Sequence, residues 1–246
     1  MEVSISGLSG SLESLFFSNS NFFSLAFGCS LSSLAVDNNN INGTIPPVIT
    51  SLYSLQQLNL GVNMISGQIP DGLESMTALR SIDFSVNRLT GSLHLSLCNK
   101  SSPLADLILI SNQLTGLLNM SSCVNLIYLD VSKNQYNGTA IGPPPGDNNL
   151  HEVYLSDNQL SNVTDFVRPG LITALDVGQN ALADASLLRA VSRLQSLGSF
   201  SIANFIVNPP SYIVGSLPAS MFSDTATIRP INWNNQFAVG KLPPIA

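Results

Sequence analysis

A pattern of leucines and an asparagine recurs along most of the chain and constrains its fold more than any other feature. Its clearest copy has apolar residues at Leu31, Leu34 and Val36 and an asparagine at Asn39. Seven consecutive copies begin at Leu31, Leu55, Leu79, Leu104, Leu126, Leu150 and Ile172. A period of 22 to 25 residues, sustained over these copies, predicts coils stacked into a solenoid rather than a single compact core.

Each position of the pattern LxxLxLxxNxLxG has a physical role in such a coil. The LxL alternation gives a short strand whose apolar side faces inward, and strands of successive coils pair into one parallel sheet. The asparagine stands where the chain leaves the strand, so its amide can bond backbone groups and form a ladder through stacked coils. In the following GxIP segment, as at Gly43 and Pro46, glycine permits an unusual φ and proline fixes the return.

The repeats become irregular toward both ends of the chain. A copy beginning at Leu12 has Ser20 in place of the asparagine, and a copy beginning at Leu197 has Phe205 there. A last, shortened copy follows near the C-terminus, so we expect about ten repeats in one solenoid over residues 1–246. Terminal repeats need polar caps to stay soluble. Both terminal repeats are degraded and uncapped, which predicts that the chain is a fragment of a longer protein.

Composition excludes several classes of function. The net charge is −6 and the pI is about 4.6, which argues against nucleic-acid binding and against a polybasic membrane-surface role. No run approaches the ~18 consecutive apolar residues of a transmembrane helix, and the N-terminus does not read as a signal peptide. With 44% hydrophobic residues, the chain still has enough apolar side chains for a sizeable core.

The run from Asn42 to Leu93, NGTIPPVITSLYSLQQLNLGVNMISGQIPDGLESMTALRSIDFSVNRLTGSL, resembles the plant-specific leucine-rich-repeat class. That class forms the ectodomains of plant receptor-like kinases and receptor-like proteins, and the polygalacturonase-inhibiting proteins. The resemblance implies an α/β fold: a right-handed leucine-rich-repeat solenoid, shaped as a horseshoe or superhelix. Its parallel β-sheet is expected on the concave face, with 3-10 turns and loops on the convex face.

The same resemblance implies a binding function. We expect a ligand- or partner-binding ectodomain in cell-surface signalling, with a protein or peptide ligand or a co-receptor as partner. The alternative is a secreted inhibitor of a cell-wall-degrading enzyme, of the polygalacturonase-inhibitor type. Either protein would lie at the extracellular face of the plasma membrane or be secreted.

No enzymatic activity, metal or other cofactor is expected. The chain lacks the kinase motifs, so any kinase domain would lie outside it. Its two histidines, His94 and His151, lie on a return segment and at a strand start, and neither suggests a catalytic arrangement.

A candidate ligand site follows from side chains at the x positions of LxxLxLxx, which point to the concave face. In the middle coils these positions combine aromatic and carboxylate groups, which suit a peptide with a basic or amine-bearing residue. We name this set the acidic–tyrosine band: Asp106, Tyr128, Asp130, Glu152, Tyr154 and Asp176. A structural interpretation stands beside this one, because Asp inside LxL is common in the repeat class and can simply solubilise the sheet.

Five N-x-S/T sequons offer possible glycosylation sites: Asn42, Asn99, Asn119, Asn137 and Asn162. Their number is about what chance gives in a chain this rich in Asn, Ser and Thr. They are therefore informative only because the family that the chain resembles is secreted.

Two of the three cysteines, Cys98 and Cys123, occupy the same phase of adjacent repeats. Stacked coils would bring their Cα atoms to roughly 5 Å, within disulfide range. Because cysteine is commonly buried as a free thiol, we expect two unpaired thiols here. Cys29 has no partner in phase.

Overall fold

A computed structural model describes residues 31–94, 97–98, 102–144, 149–164, 166 and 172–182. Outside these ranges it describes the backbone of six short strands, at 2–4, 9–11, 199–201, 213–214, 231–232 and 238–239.

The concave face is a parallel sheet of ten strands among the described residues, each contributed by one coil. In order they are Glu2–Ser4, Ser33–Ala35, Gln57–Asn59, Ser81–Asp83, Asp106–Ile108, Tyr128–Asp130, Glu152–Tyr154, Ala174–Asp176, Ser199–Ser201 and Ile231–Asn232. The strands have two or three residues because only the LxL part of each repeat is extended. This arrangement confirms the predicted solenoid with its parallel sheet.

The opposite side carries shorter 3-10 helices and a second parallel sheet. The helices are Pro47–Ser51, which follows a GxIP segment directly, and Leu73–Ser75, which begins three residues after Pro70. The second sheet, which we call the outer sheet, joins Ser66–Gln68, Arg88–Gly91, Gln113–Asn119, Gln135–Ile141 and Gln159–Thr164. Two strand pairs complete the elements: Ser9–Ser11 with Asn40–Asn42, and Ile213–Val214 with Ala238–Val239. The sequence predicted the 3-10 turns but not the outer sheet.

Apolar side chains of the coils between Leu31 and Leu182 stack into one continuous core between the two sheets. In the coil that begins at Leu126, the buried side chains include Leu129, Val131 and Tyr136. The equivalent positions of the neighbouring coils are buried to the same degree. No coil can bury these residues alone, so the stability of each coil depends on its neighbours.

The asparagine of each repeat forms the expected ladder. The side-chain amide of Asn87 donates to the carbonyl oxygens of Phe84 and Ser85 in its own turn and of Leu60 in the preceding coil. Its Oδ1 accepts from the backbone N–H of Ile65 at 2.9 Å. The same bonding pattern recurs at Asn63, Asn112, Asn134, Asn158 and Asn180.

Two positions of the repeat have a positive φ. The template glycine has φ between 68° and 84°, as at Gly116 and Gly138, so its predicted conformational role is confirmed. The residue before the ladder asparagine also has a positive φ, although it is not a glycine. These residues are Asn38, Val62, Val86, Ser111, Lys133, Asp157 and Gln179. The repeat therefore imposes a left-handed turn at the end of each strand, whatever residue stands there.

Between Leu31 and Ile172 the structure describes six turns of the solenoid along most of their length. The other strands of the ten-stranded concave sheet belong to coils of which only the strand backbone is described, so the expected count of ten repeats stays a prediction. At the start of the sheet, Glu2–Ser4 pairs directly with Ser33–Ala35. The predicted copy at Leu12 and the one at Leu197 fall largely outside the described residues, so their internal pattern stays a prediction.

Cys98 and Cys123 form a disulfide, so our expectation of two free thiols is wrong. Their Cα atoms are 4.7 Å apart, and both side chains are buried. The two cysteines are 25 residues apart and lie in adjacent coils. Their common phase in the repeat was the correct signal, and the general tendency of cysteine to be a buried thiol was the misleading one.

In the part of the chain that the structure describes, no helix has both the length and the apolar character needed to cross a membrane.

Candidate functional site

The acidic–tyrosine band assembles on four neighbouring strands of the concave sheet. Tyr128 lies between Asp106 on one neighbouring strand and Glu152 on the other. Two residues further along the strands, Asp130 pairs with Tyr154, which in turn pairs with Asp176. The six residues predicted from the repeat phase therefore share one surface, as two adjacent rows across the sheet.

The two tyrosines form the aromatic centre of this surface. Their ring centroids are 5.6 Å apart and the ring planes are tilted by 43°. The hydroxyl of Tyr154 donates a hydrogen bond of 2.9 Å to Oε2 of Glu152. This bond and the ring contact hold both side chains in place across the sheet, which lowers the entropy lost when a ligand binds.

Two of the carboxylates have a structural role in the turn that follows each strand. Oδ1 of Asp130 accepts hydrogen bonds from the backbone N–H of Ser132 at 2.9 Å and from its hydroxyl at 2.5 Å. Oδ1 of Asp176 accepts from the N–H of Gly178 at 3.0 Å. Asp130 is also 8% exposed, so little of it can contact a ligand.

The same turn contact appears outside the band. Asn59 accepts from the N–H of Gly61, and Asp83 accepts from the N–H of Ser85. Asp or Asn at the x position inside LxL therefore stabilises the left-handed turn by an Asx-type bond. This contact supports the structural interpretation for Asp130 and Asp176, and it leaves Asp106 and Glu152 as the carboxylates available to a partner.

The site is rich in negatively charged groups. Burial raises the pKa of Tyr128, and the carboxylates of Asp130, Glu152, Asp83 and Asp106 raise it further. Burial likewise raises the pKa of Asp106. The pKa of Tyr154 is raised far above its usual range by burial and by the hydrogen bond to Glu152. Both tyrosines therefore stay neutral hydrogen-bond donors, and the surface as a whole favours a cationic partner.

Burial also raises the pKa of Asp130. The bonds from Ser132 lower it, while the charges of Asp176 and Asp83 raise it. The carboxylates of Asp83, Asp130 and Asp176, which lie in one row across the sheet, thus repel one another, and a bound cation would relieve this repulsion.

The sequence prediction left out two residues that the register brings beside the band. Asp83 and Ile108 pair with each other, and Ile108 also pairs with Asp130. Asp83 contributes to the negative field at Tyr128. Both occupy the x position inside LxL, so including that position from every coil, and not only from the middle coils, would have found them.

The sequons lie away from the concave sheet. Asn42, Asn119, Asn137 and Asn162 belong to strands of the outer side, and Asn99 lies outside the described residues. The side chains of Asn42 and Asn137 are exposed, whereas those of Asn119 and Asn162 are partly buried. No group of residues suited to hold a metal ion occurs in the described ranges.

Residues 29–89 match the family model for the leucine-rich repeat. The chain has the leucine-rich-repeat fold. The match covers the two most regular coils, and the stacked strands extend the same architecture well beyond them. No curated protein matches the sequence significantly.

Solved structures with the same fold include plant leucine-rich-repeat receptor ectodomains. A TDR receptor is 27% identical, with a TM-score of 0.75, and the match covers 97% of this chain and 39% of that one. The plant peptide hormone receptor RGFR1, in complex with RGF2, is 22% identical, with a TM-score of 0.65, and the match covers 96% of this chain and 39% of that one. This leucine-rich-repeat chain thus spans about two-fifths of the length of these receptors.

The fold is shared with a protein of another function. A plant ice-binding protein is 19% identical, with a TM-score of 0.68, and the match covers 97% of this chain and 75% of that one. At such identity the likeness shows the fold alone, so the function must be argued from the concave surface.

Proposed function

We propose that the concave face of this leucine-rich-repeat solenoid binds a protein or peptide ligand through the acidic–tyrosine band. The observation that carries the proposal is the cluster of Asp106, Tyr128, Glu152 and Tyr154 on three adjacent strands. Two preorganised tyrosines supply contact area, and the carboxylates supply attraction for a lysine, an arginine or an amino terminus.

We further propose that the chain belongs to the extracellular sensing region of a plant receptor-like kinase or receptor-like protein. The similarity to the TDR receptor over almost the whole chain supports this assignment. The Cys98–Cys123 disulfide also supports it, because disulfides persist in oxidising compartments such as the cell exterior. RGFR1, which shares the fold, is a peptide hormone receptor in complex with RGF2, so this architecture is compatible with a peptide ligand.

The binding proposal is tested with a displayed library of random peptides selected on the purified chain. Enriched peptides should be basic, and their affinity should fall as salt rises, because exposed charges are screened. Glu152→Gln and Asp106→Asn should each weaken binding about tenfold, the usual effect of removing one charged partner.

A matched control removes a carboxylate elsewhere. Asp71 is exposed on the return segment, so Asp71→Asn should leave the affinity unchanged. Equal losses for Asp71→Asn and Glu152→Gln would mean that only net charge matters, and the band would then not be the site. Asp130 is unsuitable as a test position because its replacement would disturb the turn at Ser132.

The enzyme inhibitor remains the alternative function. It predicts that the purified chain lowers the activity of a polygalacturonase at stoichiometric concentration. The receptor proposal predicts no such inhibition, and it predicts an apolar span of about 20 residues encoded after the repeats.

A further inference from the structure

A line of apolar side chains crosses the concave face beside the carboxylates. It runs obliquely over four coils, from the start of one strand to the turn that ends another. We call it the apolar diagonal: Ile127, Tyr128, Ile108, Ile110, Val86 and Val62. Ile127, Val86 and Val62 are 45%, 46% and 42% exposed, and the other three are partly exposed.

Backbone pairing places these residues in sequence along the diagonal. Tyr128 pairs with Asp106, two residues before Ile108 on that strand. Leu109 is fully buried, so the residues on either side of it, Ile108 and Ile110, share the outward face. The N–H of Val86 donates to the carbonyl of Ile110 at 2.8 Å. In the same way, the N–H of Val62 donates to the carbonyl of Ser85, the residue before Val86, at 2.8 Å.

The two valines are not explained by folding. Val62 has φ of 52° and Val86 has φ of 50°, a left-handed conformation that is unfavourable for a β-branched residue. Their equivalents in other coils include Asn38 and Asp157, which adopt this conformation at lower cost. Because both valine side chains are exposed, the core gains nothing from them. Strain combined with exposure indicates a role in contacting a partner.

Charges flank the diagonal on both sides. Asp83 and Asp106 precede the diagonal residues Val86 and Ile108 in their own coils, and Glu152 lies on the next strand beside Tyr128. The basic residues Arg80 and Lys133 lie at the two edges of the concave face, just before and just after the strand residues. The centre of the surface is therefore apolar between carboxylates.

We propose that the apolar diagonal holds an extended peptide whose apolar side chains alternate with basic ones. The inference rests on the proposed peptide-binding function and names the chemistry of its ligand. The diagonal is about 20–25 Å long, which an extended segment of about seven residues spans. Alternation suits it because successive side chains of an extended peptide point in opposite directions. One set packs on the apolar diagonal, and the long, flexible lysine or arginine side chains of the other set can bend back to the carboxylates beside it.

Three fluorescent octapeptides with blocked termini test the proposal. One alternates leucine with lysine, the second serine with lysine, and the third leucine with glutamate. The leucine–lysine peptide should bind at least about tenfold more tightly than the serine–lysine peptide, the expected gain from burying leucine side chains. The leucine–glutamate peptide should bind most weakly of the three because the flanking carboxylates repel it.

The decisive variant is Val86→Ser with Ile110→Ser. It should reduce the affinity for the leucine–lysine peptide about tenfold and leave that for the serine–lysine peptide unchanged. The variant is expected to fold, because both side chains are at the surface and serine already occupies the strained turn position at Ser111. The control, Tyr53→Ser with Leu117→Ser, removes two exposed apolar side chains away from the concave sheet and should change neither affinity.

Each outcome separates this inference from the proposed function. Equal binding of the two lysine peptides, or an unchanged affinity of the Val86 and Ile110 variant, would overturn the diagonal and leave a basic-peptide site intact. Binding that is insensitive to Glu152→Gln would instead overturn the acidic–tyrosine band. Failure of all three peptides to bind the wild-type chain at tens of micromolar would also overturn the diagonal.

Discussion

Oδ1 of Asn134 lies 3.0 Å from the backbone nitrogen of Leu114 in the preceding coil and accepts its hydrogen bond. The amide nitrogen of the same side chain donates to the carbonyl oxygens of Leu109, Val131 and Ser132. A single side chain thus satisfies backbone groups of two coils in a region where Asn134 itself is buried. The coils are joined by these bonds as well as by their apolar contacts.

Asn134→Leu should lower the free energy of unfolding by about 1–3 kcal/mol, because several buried backbone groups lose their partner. Urea denaturation of the two proteins measures the difference. The neighbouring, exposed Gln135 provides the control, since Gln135→Leu should change the stability by less than about 0.5 kcal/mol. Similar effects of the two substitutions would contradict the ladder as a source of stability.

The repeat predicted the solenoid, its parallel sheet, the asparagine ladder and the positions of the acidic–tyrosine band. These features could be predicted because each depends on one residue type at a fixed phase, as with Asn134 and Gly138. The outer sheet was not predicted, because the xLxG part of the repeat, where its strands lie, indicated only a buried apolar residue and a turn at the glycine. Its strands pair through backbone groups that any sequence carries, as in Gln113–Asn119 with Gln135–Ile141.

The double role of the carboxylates was also hidden from the sequence. Asp130 and Asp106 both occupy x positions, but only Asp130 stands two residues before the turn N–H that it accepts from. Asp106 stands before the central leucine of its repeat, whereas Asp130 stands after it and next to the turn. The consequence of these two positions becomes clear only once the geometry of the turn is known. The bond between Tyr154 and Glu152 likewise depends on side-chain rotamers that a repeat pattern does not specify.

Tyr136→Phe should stabilise the protein. Tyr136 is fully buried at a position that other coils fill with Leu or Ile, and its hydroxyl has no hydrogen-bond partner among the described residues. Burying such a hydroxyl costs about 1–3 kcal/mol, which phenylalanine avoids while keeping the ring. Thermal unfolding measures the gain, with exposed Tyr53→Phe as the control. A lower melting temperature for Tyr136→Phe would show that the hydroxyl is bonded.

Loss of the disulfide should destabilise the solenoid by about 2–4 kcal/mol, because Cys98 and Cys123 close a loop of 25 residues. The double variant Cys98→Ser with Cys123→Ser should unfold at lower urea concentration than the oxidised wild type. A reductant should lower the stability of the wild type and leave that of the double variant unchanged. Two free thiols at these positions in a peptide map of the purified protein would contradict the bond.

Glycosylation of the protein secreted from plant cells should favour Asn42 and Asn137. Both side chains are exposed, whereas Oδ1 of Asn119 and of Asn162 already accepts a backbone N–H, from Ser121 and Val163. Endoglycosidase treatment followed by peptide mass spectrometry measures the occupancy at each site. Occupancy confined to Asn119 and Asn162 would contradict exposure as the deciding factor. Since these strands lie away from the concave sheet, removing the glycans should not alter peptide affinity.

Asp106→Asn should stabilise the protein at neutral pH and not at acid pH. Burial raises the pKa of Asp106 above the ordinary value of 3.8, so the folded state holds its proton more tightly than the unfolded state does. Ionisation therefore costs folding free energy at pH values above the folded-state pKa, and the cost disappears below about pH 3.8, where both states are protonated. Because the side chain of Asp106 is only partly buried, the gain at pH 7 should not exceed about 1 kcal/mol. Melting temperatures of the wild type, Asp106→Asn and the charge-matched control Asp71→Asn at pH 7 and pH 3 measure it. A stabilisation by Asp106→Asn that is equal at the two pH values would rule out desolvation of the carboxylate as its cause.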